Sequence, residues 1–367
     1  MPRPYTIPIP RNSLEAFQSR NANTPQNPGL LFDRFAPDWR LDPTLKKDGL
    51  EVVANATQKP DYDLFNSWVS RWKEGAGSVG AKPFTRVSDW RFAAGLGRKG
   101  SLETGFTFNR YGFPYLPGSS VKGLARIAAL VNVAEELVTN KLNELDDILS
   151  QDTDEAFKKA WENTFGHIPV PGLVETFRLV FGTTAQTGCA VFLEAIPESA
   201  PHLELDIMNP HYPDYYQGKE PPTNWQSPKP IYFLTVAART PFLFAAGWRR
   251  GAKIEADAFK KAKEWLDEGL QNLGAGSKTS AGYGYFSKPF VPPPPGYLRG
   301  KVLSFGEGPN KSFGYIQPEG GGNALFVHRN NLTQGLTNLE PGQVVIFKRV
   351  KVPQKDDQAQ DVKFDQD

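Results

Sequence analysis

A single cysteine, Cys189, occurs in 367 residues. No disulfide can form within the chain, and no thiol cluster is present to hold zinc or an iron–sulfur centre. Such usage fits a reducing, cytoplasmic compartment, and a lone cysteine of this kind reads as a small structural side chain. Charge imbalance is also missing, since 42 Lys and Arg against 40 Asp and Glu leave a net +2. Bulk electrostatics therefore do not announce a nucleic-acid partner, and any such site must be a local patch. No apolar run approaches the roughly 18 residues of a membrane span. Met1 to Pro10 has neither the charged start nor the apolar core of a secretion signal. No membrane partner is expected. The four histidines, His167, His202, His211 and His328, are scattered, so acid–base chemistry has few bases to draw on. No metal or other cofactor is expected.

What is abundant is glycine and proline, 34 and 32 residues, which indicate many turns and structured loops. The length exceeds the roughly 100–200 residues of one domain. The clearest boundary is Val291-Pro292-Pro293-Pro294-Pro295-Gly296, because consecutive prolines form a stiff spacer that cannot continue a helix or a central strand. The expected organisation is an N-terminal extension packed on the body (1–90), a body (91–290), a linker (291–296) and a C-terminal module (297–367). The extension is rich in Pro, Asn and Asp, with one helical piece near Tyr62–Lys73.

In the body, helical spacing of apolar residues covers Val121–Leu137, about Asn140–Phe165 and Asp257–Leu273. Ser119 or Ser120 is placed to cap the first. Strands are expected over Cys189–Ile196, Ile231–Ala238, Phe242–Ala246 and Tyr283–Phe286. Interleaved helices and strands give an α+β body.

After the linker, Gly300–Phe305, Lys311–Ile316, Ala324–His328, Gln343–Val352 and Asp361–Asp365 read as five short strands. Period-two alternation puts Phe313 and Tyr315 on one face, with Gly314 and Ile316 on the other. It likewise separates Phe326 and His328 from Leu325 and Val327. Rings beside a cation such as Lys311 make a platform on which unpaired bases stack. The competing reading, that these rings are core, must reckon with a separate apolar set: Val302, Ile316, Leu325, Val327, Val345 and Phe347. This stretch resembles a cold-shock domain, an OB-like barrel, through KSFGYI, ALFVH and Glu340–Phe347. The resemblance implies that Phe313, Tyr315, Phe326 and His328 stack on single-stranded RNA. Ser304 stands where that family usually carries an exposed Trp, so one stacking position is missing.

Two segments of the body are dense in glycine. Leu273–Phe286 holds Gly274, Gly276, Gly282 and Gly284 with Ser277, Lys278, Thr279, Ser280 and Tyr283, and it runs from a helix into a strand. Glycines let the main chain approach phosphate, while the hydroxyls and Lys278 supply donors. A Walker-type loop runs from strand to helix, the opposite order, and a plain flexible turn is the third reading. The second segment carries Arg98 and Lys99, then Gly112–Arg126, in which a Pro-Gly turn delivers Ser119 and Ser120 to a helix start. Lys122 and Arg126, one turn apart, share a face that either extends the basic patch or is simply solvated.

Together these segments resemble the RAMP superfamily of CRISPR RNA-binding proteins, whose ferredoxin-like (RRM-like) fold carries a glycine-rich loop before its last strand. Asn27–Asp33, Leu205–Tyr212, Tyr215-Tyr216 and Ser227–Leu234 are similar, more narrowly, to the sixth-subunit family of the type III-B (Cmr) effector. That resemblance implies a non-catalytic antiviral-defence subunit near the 3′ end of guide CRISPR RNA. Its implied partners are guide RNA, target single-stranded RNA and other Cmr subunits. The alternative is a RAMP-like endoribonuclease using His211 or His167, with Asp206 as the acid nearest His211.

Overall fold

The computed structural model describes residues 7, 9–19, 24–37, 44–98, 100–209, 218, 221, 230–253, 255–306, 312–333, 336–351 and 357–365. The chain divides into two units, Met1–Pro289 and Phe290–Asp367.

The first unit opens with α1 (Arg11–Gln18), α2 (Pro28–Asp33), α3 (Leu45–Ala56) and α4 (Tyr62–Ser78), more helix than the Pro- and Asn-rich composition suggests. Caps explain part of this. The Asn27 side chain accepts from the Leu30 N–H at 3.1 Å with Pro28 in the first turn, and Asp61 accepts from the Leu64 N–H at 2.9 Å. Next come β1 (Phe84–Ser88), α5 (Gly118–Glu136), α6 (Leu142–Leu149), α7 (Asp154–Phe165), α8 (Gly172–Phe181), β2 (Ala190–Phe192) and β3 (Ile196–Pro197). The unit ends with β4 (Leu203–Met208), β5 (Ile231–Val236), β6 (Pro241–Phe244), β7 (Ala246–Trp248), α9 (Ala256–Asn272) and β8 (Phe286–Ser287).

One antiparallel sheet runs in the order β3-β6-β1-β8. Along the chain this is β1–α5–β3–β6–α9–β8, the ferredoxin-like alternation with its first and third strands central. Helices α6 to α8 with β2 are inserted before β3, and the β4–β5 hairpin before β6. Because β1 precedes residue 91, the sheet draws on what the sequence pattern assigns to the N-terminal extension. The extension also enters the core through Leu31, Phe32, Leu50 and Val53.

Strand β6 shows both faces in use. Phe242 and Phe244 pack with Val121, Trp265 and Leu266 from α5 and α9, whereas Leu243 packs with Phe65, Trp68 and Trp72 from α4. Each such fully buried side chain contributes about 1.5–3 kcal/mol. Two of these indoles are also satisfied: Trp265 Nε1 donates to Asn132 Oδ1 at 3.1 Å and Trp72 Nε1 to the Glu194 carbonyl at 2.9 Å.

Four local expectations are corrected. Pro117 precedes α5 and no side chain caps it, so Ser119 and Ser120 lie in its first turn. The helix expected over Asn140–Phe165 is two, because Thr153 caps α7 by accepting from the Ala156 N–H at 3.1 Å. Asp152, in the break, accepts from the Ala185 N–H at 2.7 Å. Cys189–Ile196 and Phe242–Ala246 each split because the chain changes partner, with β2 pairing β7 while β3 pairs β6. Strand β8 begins only at Phe286, since residues before it belong to the glycine-rich turn.

The second unit is a closed barrel of β9 (Leu298–Phe305), β10 (Phe313–Pro318), β11 (Leu325–His328), β12 (Val344–Val350) and β13 (Gln358–Phe364), in the order β10-β11-β13-β12-β9. Val302, Ile316, Leu325, Val327, Val345 and Phe347 fill it, which is the apolar set the alternation singled out.

Candidate RNA-binding surfaces

Three stretches far apart in sequence meet in a cleft of about 290 Å³. Arg98 comes from the segment after β1, Ser120 from the first turn of α5, and Gly276 with Ser277 from the turn between α9 and β8. Gly95, Thr107, Tyr115 and Pro117 complete the walls. Arg98 is exposed, and no carboxylate pairs it among the described residues. The Ser120 amide is already spent, donating to the Pro117 carbonyl at 2.9 Å, so at this helix start its hydroxyl and the positive end of the helix dipole remain for an anion. The cleft therefore suits a phosphate.

The turn is held by backbone pairing. Ala275 N–H donates to the Gly284 carbonyl at 2.7 Å, Gly284 N–H to the Arg91 carbonyl at 3.1 Å, and Ser277 N–H to the Ala93 carbonyl at 2.7 Å. Gly276 has φ +85, and a side chain there would meet the Ala93 carbonyl at 2.3 Å. Thr279 begins a 3-10 turn that ends at Gly282, with φ +87, and the Thr279 methyl packs against Gly274. Lys278 adopts the left-handed conformation without being glycine, and its ammonium lies 5.1 Å from the Phe233 ring centroid.

Tyr283 turns inward. Its hydroxyl donates to Asp206 Oδ2 at 2.5 Å, and Arg91 donates to the same oxygen at 2.6 Å and to Glu204 Oε2 at 2.9 Å. Burial, then the hydrogen bond to Asp206, push the Tyr283 phenol up to about 12. Burial works to raise the Asp206 carboxyl, but donors from Tyr283, the Ile207 amide and Arg91 outweigh it and hold Asp206 below the usual carboxylate range. Asp206 is thereby engaged in joining β4 to the glycine-rich turn. A raised phenol contributes stability that is complete below its ordinary value of 10.0 and is lost as pH rises through about 12. The stability gap between the parent chain and Tyr283→Phe, measured by denaturant titration, should therefore be constant near neutrality and close over that alkaline window. A gap that persists unchanged would rule out this hydrogen bond as its source.

Lys122 and Arg126 do share a face of α5, but it points at other helices. Lys122 Nζ donates to the Phe181 carbonyl at the end of α8 at 3.0 Å, and burial, then Arg126, lower its pKa. Arg126 pairs with Asp146, donates to Ser150 Oγ at 3.0 Å and lies 5.2 Å from the Phe177 ring centroid. Both tie α5 to α6 and α8 rather than lining the cleft. Ser119 is exposed in the same first turn as Ser120. Lys99, Lys311 and His211 lie outside the described residues. His167 sits on an exposed turn beside Trp161 and Glu162, and no cluster of His, Cys, Asp and Glu fit for a metal occurs among the described residues.

On the barrel, Phe313 pairs opposite His328, and Tyr315 opposite both Phe326 and Ser304. These residues share the outer face. Phe313 stacks on Phe326 at 5.6 Å, and Tyr315, 42% exposed, stands edge-on to both. The His328 ring accepts from the Asn330 N–H at 3.2 Å. Next to Ser304, a bulge leaves Leu303 unpaired and exposed. The sequence reading passed over this side chain, although alternation from the inward Val302 already sets it outward, and the bulge lets Ser304 face outward beside it.

The RAMP superfamily model matches residues 84–287, and the 'Cold-shock' DNA-binding domain model residues 298–364. The chain is 32% identical over 274 residues to the CRISPR system Cmr subunit Cmr6 of Pyrococcus furiosus, covering 67% of this chain and 79% of that one. It is 49% identical over 49 residues to the cold shock-like protein CspA of Rickettsia bellii, 13% of this chain and 67% of that protein. Among solved structures, the crystal structure of Cmr6 from Pyrococcus furiosus aligns at 31% identity and TM-score 0.39, covering 57% of this chain and 98% of that one. The cryo-EM structure of the type III-B Cmr-beta bound to cognate target RNA aligns at 20% identity and TM-score 0.45, covering 68% and 73%. The chain belongs to the RAMP superfamily and, within it, to the Cmr6 family, with a cold-shock domain following the RAMP domain.

Proposed function

We propose that the chain is a non-catalytic, RNA-binding subunit of a type III-B CRISPR effector, placed near the 3′ end of the guide RNA and contacting guide and target. The observation that carries this is the cleft, where Arg98, Ser120, Gly276 and Ser277 converge. Its donors are a guanidinium and hydroxyls at a helix start, which position a sugar–phosphate backbone without reading sequence. Membership of the Cmr6 family supports assembly with other Cmr subunits. The ring face of the barrel grips unpaired RNA, and the linker raises its effective concentration near RNA already held by the body.

Co-expression with the remaining subunits and a guide should yield one complex containing this chain and the RNA. Within it, Arg98→Ala should weaken guide retention and reduce the salt dependence by about 0.7 in the logarithmic slope, one phosphate contact on a single strand. A chain that purifies free of both subunits and RNA would sink the proposal.

A further inference from the structure

The body carries a second basic surface that shares no lining residue with the cleft. Arg110 Nη2 donates to the Tyr111 hydroxyl at 2.7 Å, and Arg71 Nη2, from α4, to the same oxygen at 3.2 Å. Their guanidinium carbons lie 4.8 and 5.6 Å from the Tyr111 ring centroid. Both arginines are exposed, and neither has a carboxylate partner among the described residues. Two like charges thus share one neutral acceptor, an arrangement that an anion would relieve.

The loop bearing them is held in place. Asn109 Oδ1 accepts from the Tyr111 and Phe113 amides at 2.9 and 3.0 Å, and Asn27 Nδ2 donates to the Arg110 carbonyl at 3.1 Å. Little ordering is left to be lost on binding.

Tyr111 is also one wall of a hollow of about 150 Å³ whose other walls include Pro28, Leu64, Phe113 and Pro201. Three of its polar members are already engaged. Asn27 and Asp61 cap α2 and α4, while the Thr57 hydroxyl donates to the Ala54 carbonyl and accepts from the Leu203 N–H. A hollow below the usual 300–1,000 Å³ of ligand pockets suits one planar ring system. Peptide backbone would find few free hydrogen-bonding partners there, whereas a nucleobase can enter by its faces and leave its polar edge in water.

We infer that Arg71, Arg110 and Tyr111 form a grip for a single unpaired nucleotide, its phosphate between the guanidiniums and its base in the adjoining hollow. Recognition is of the nucleotide class, without base identity, because the hollow offers ring contact and no free hydrogen-bonding group from these caps.

Photocrosslinking the full chain to a short single-stranded RNA carrying 4-thiouridine, followed by peptide mapping, reads this site and the barrel rings separately. The expected adduct lies on the peptide that includes Asn109–Pro114. In Arg71→Ala/Arg110→Ala it should fall on the order of tenfold, with the melting temperature and the adducts on Phe313 and Tyr315 unchanged. Labelling of the barrel rings without labelling of Asn109–Pro114 overturns this grip alone, as does an adduct indifferent to the double substitution. Loss of the adduct to excess polyglutamate, but not to unlabelled RNA, would assign the surface to an acidic peptide instead.

Discussion

Phe313→Ala or Phe326→Ala is expected to weaken binding of short single-stranded RNA by about 1–3 kcal/mol, a loss of roughly 5-fold to 150-fold, while leaving the barrel folded. The reason for the separation is geometric. These rings stand on the outer face, only half-buried, whereas the barrel is filled by Val302, Ile316, Leu325, Val327, Val345 and Phe347 from the inner one. Losses at the two positions should not add, because Phe313 and Phe326 stack on each other at 5.6 Å and each orients the other. Restoring the missing ring with Ser304→Trp, on the same face opposite Tyr315, should tighten binding. Fluorescence anisotropy with full-length variants measures both directions, and an affinity indifferent to Phe313 and Phe326 would remove the ring face from the RNA site.

The second large effect falls on stability. Gly284 has φ +74, and a Cβ built there comes within 1.9 Å of the Ala275 carbonyl oxygen. Gly284→Ala combines a left-handed backbone with a clash against main chain that cannot rotate away, and it breaks the pair of bonds joining Gly284 to Ala275 and Arg91. A cost of about 3 kcal/mol is expected from strain and lost hydrogen bonds together. The turn that delivers Gly276 and Ser277 to the cleft would move with it, so RNA retention by the body should fall as the denaturation midpoint falls. Gly282→Ala is the control: its φ is +87, but nothing lies within 4 Å of the added carbon, so only the backbone strain remains. Equal destabilisation by the two would show that the close approach at Gly284 contributes nothing.

How much of this was legible depended on periodicity. In the barrel, strict alternation over Gly314–Ile316 and Leu325–His328 separated core from ring face, because a closed barrel has one inside and one outside. Long helices such as Gly118–Glu136 and Ala256–Asn272 were legible to within a few residues for the same reason. The sheet of the body was not. Strands β3 and β8 are two residues each, too short to carry a pattern, and partner changes at Leu193–Ala195 and Ala245 are set by tertiary pairing. Spacing placed Lys122 and Arg126 on one face without saying which way it looks, and only the neighbours Phe181 and Asp146 decide that. The converging cleft residues were recognised by type, glycines, hydroxyls and cations, but Thr107 and Tyr115 carry no such signal. Arg71 and Arg110 were invisible as a pair, since 39 positions of sequence separate two residues that meet at Tyr111.

The placement of α4 constrains what the body can become. An open sheet leaves every second residue facing outward and free to change, which is how a four-stranded RNA-binding sheet acquires new base preferences. Here Phe65, Trp68 and Trp72 close that side, so packing holds Leu243 and Ala245 as tightly as it holds Phe242 and Phe244. Neither side of β6 is available for variation without cost to the core. Diversification of RNA preference in such a chain is therefore channelled into its loops and its appended barrel, where Ser304 already shows one ring position surrendered.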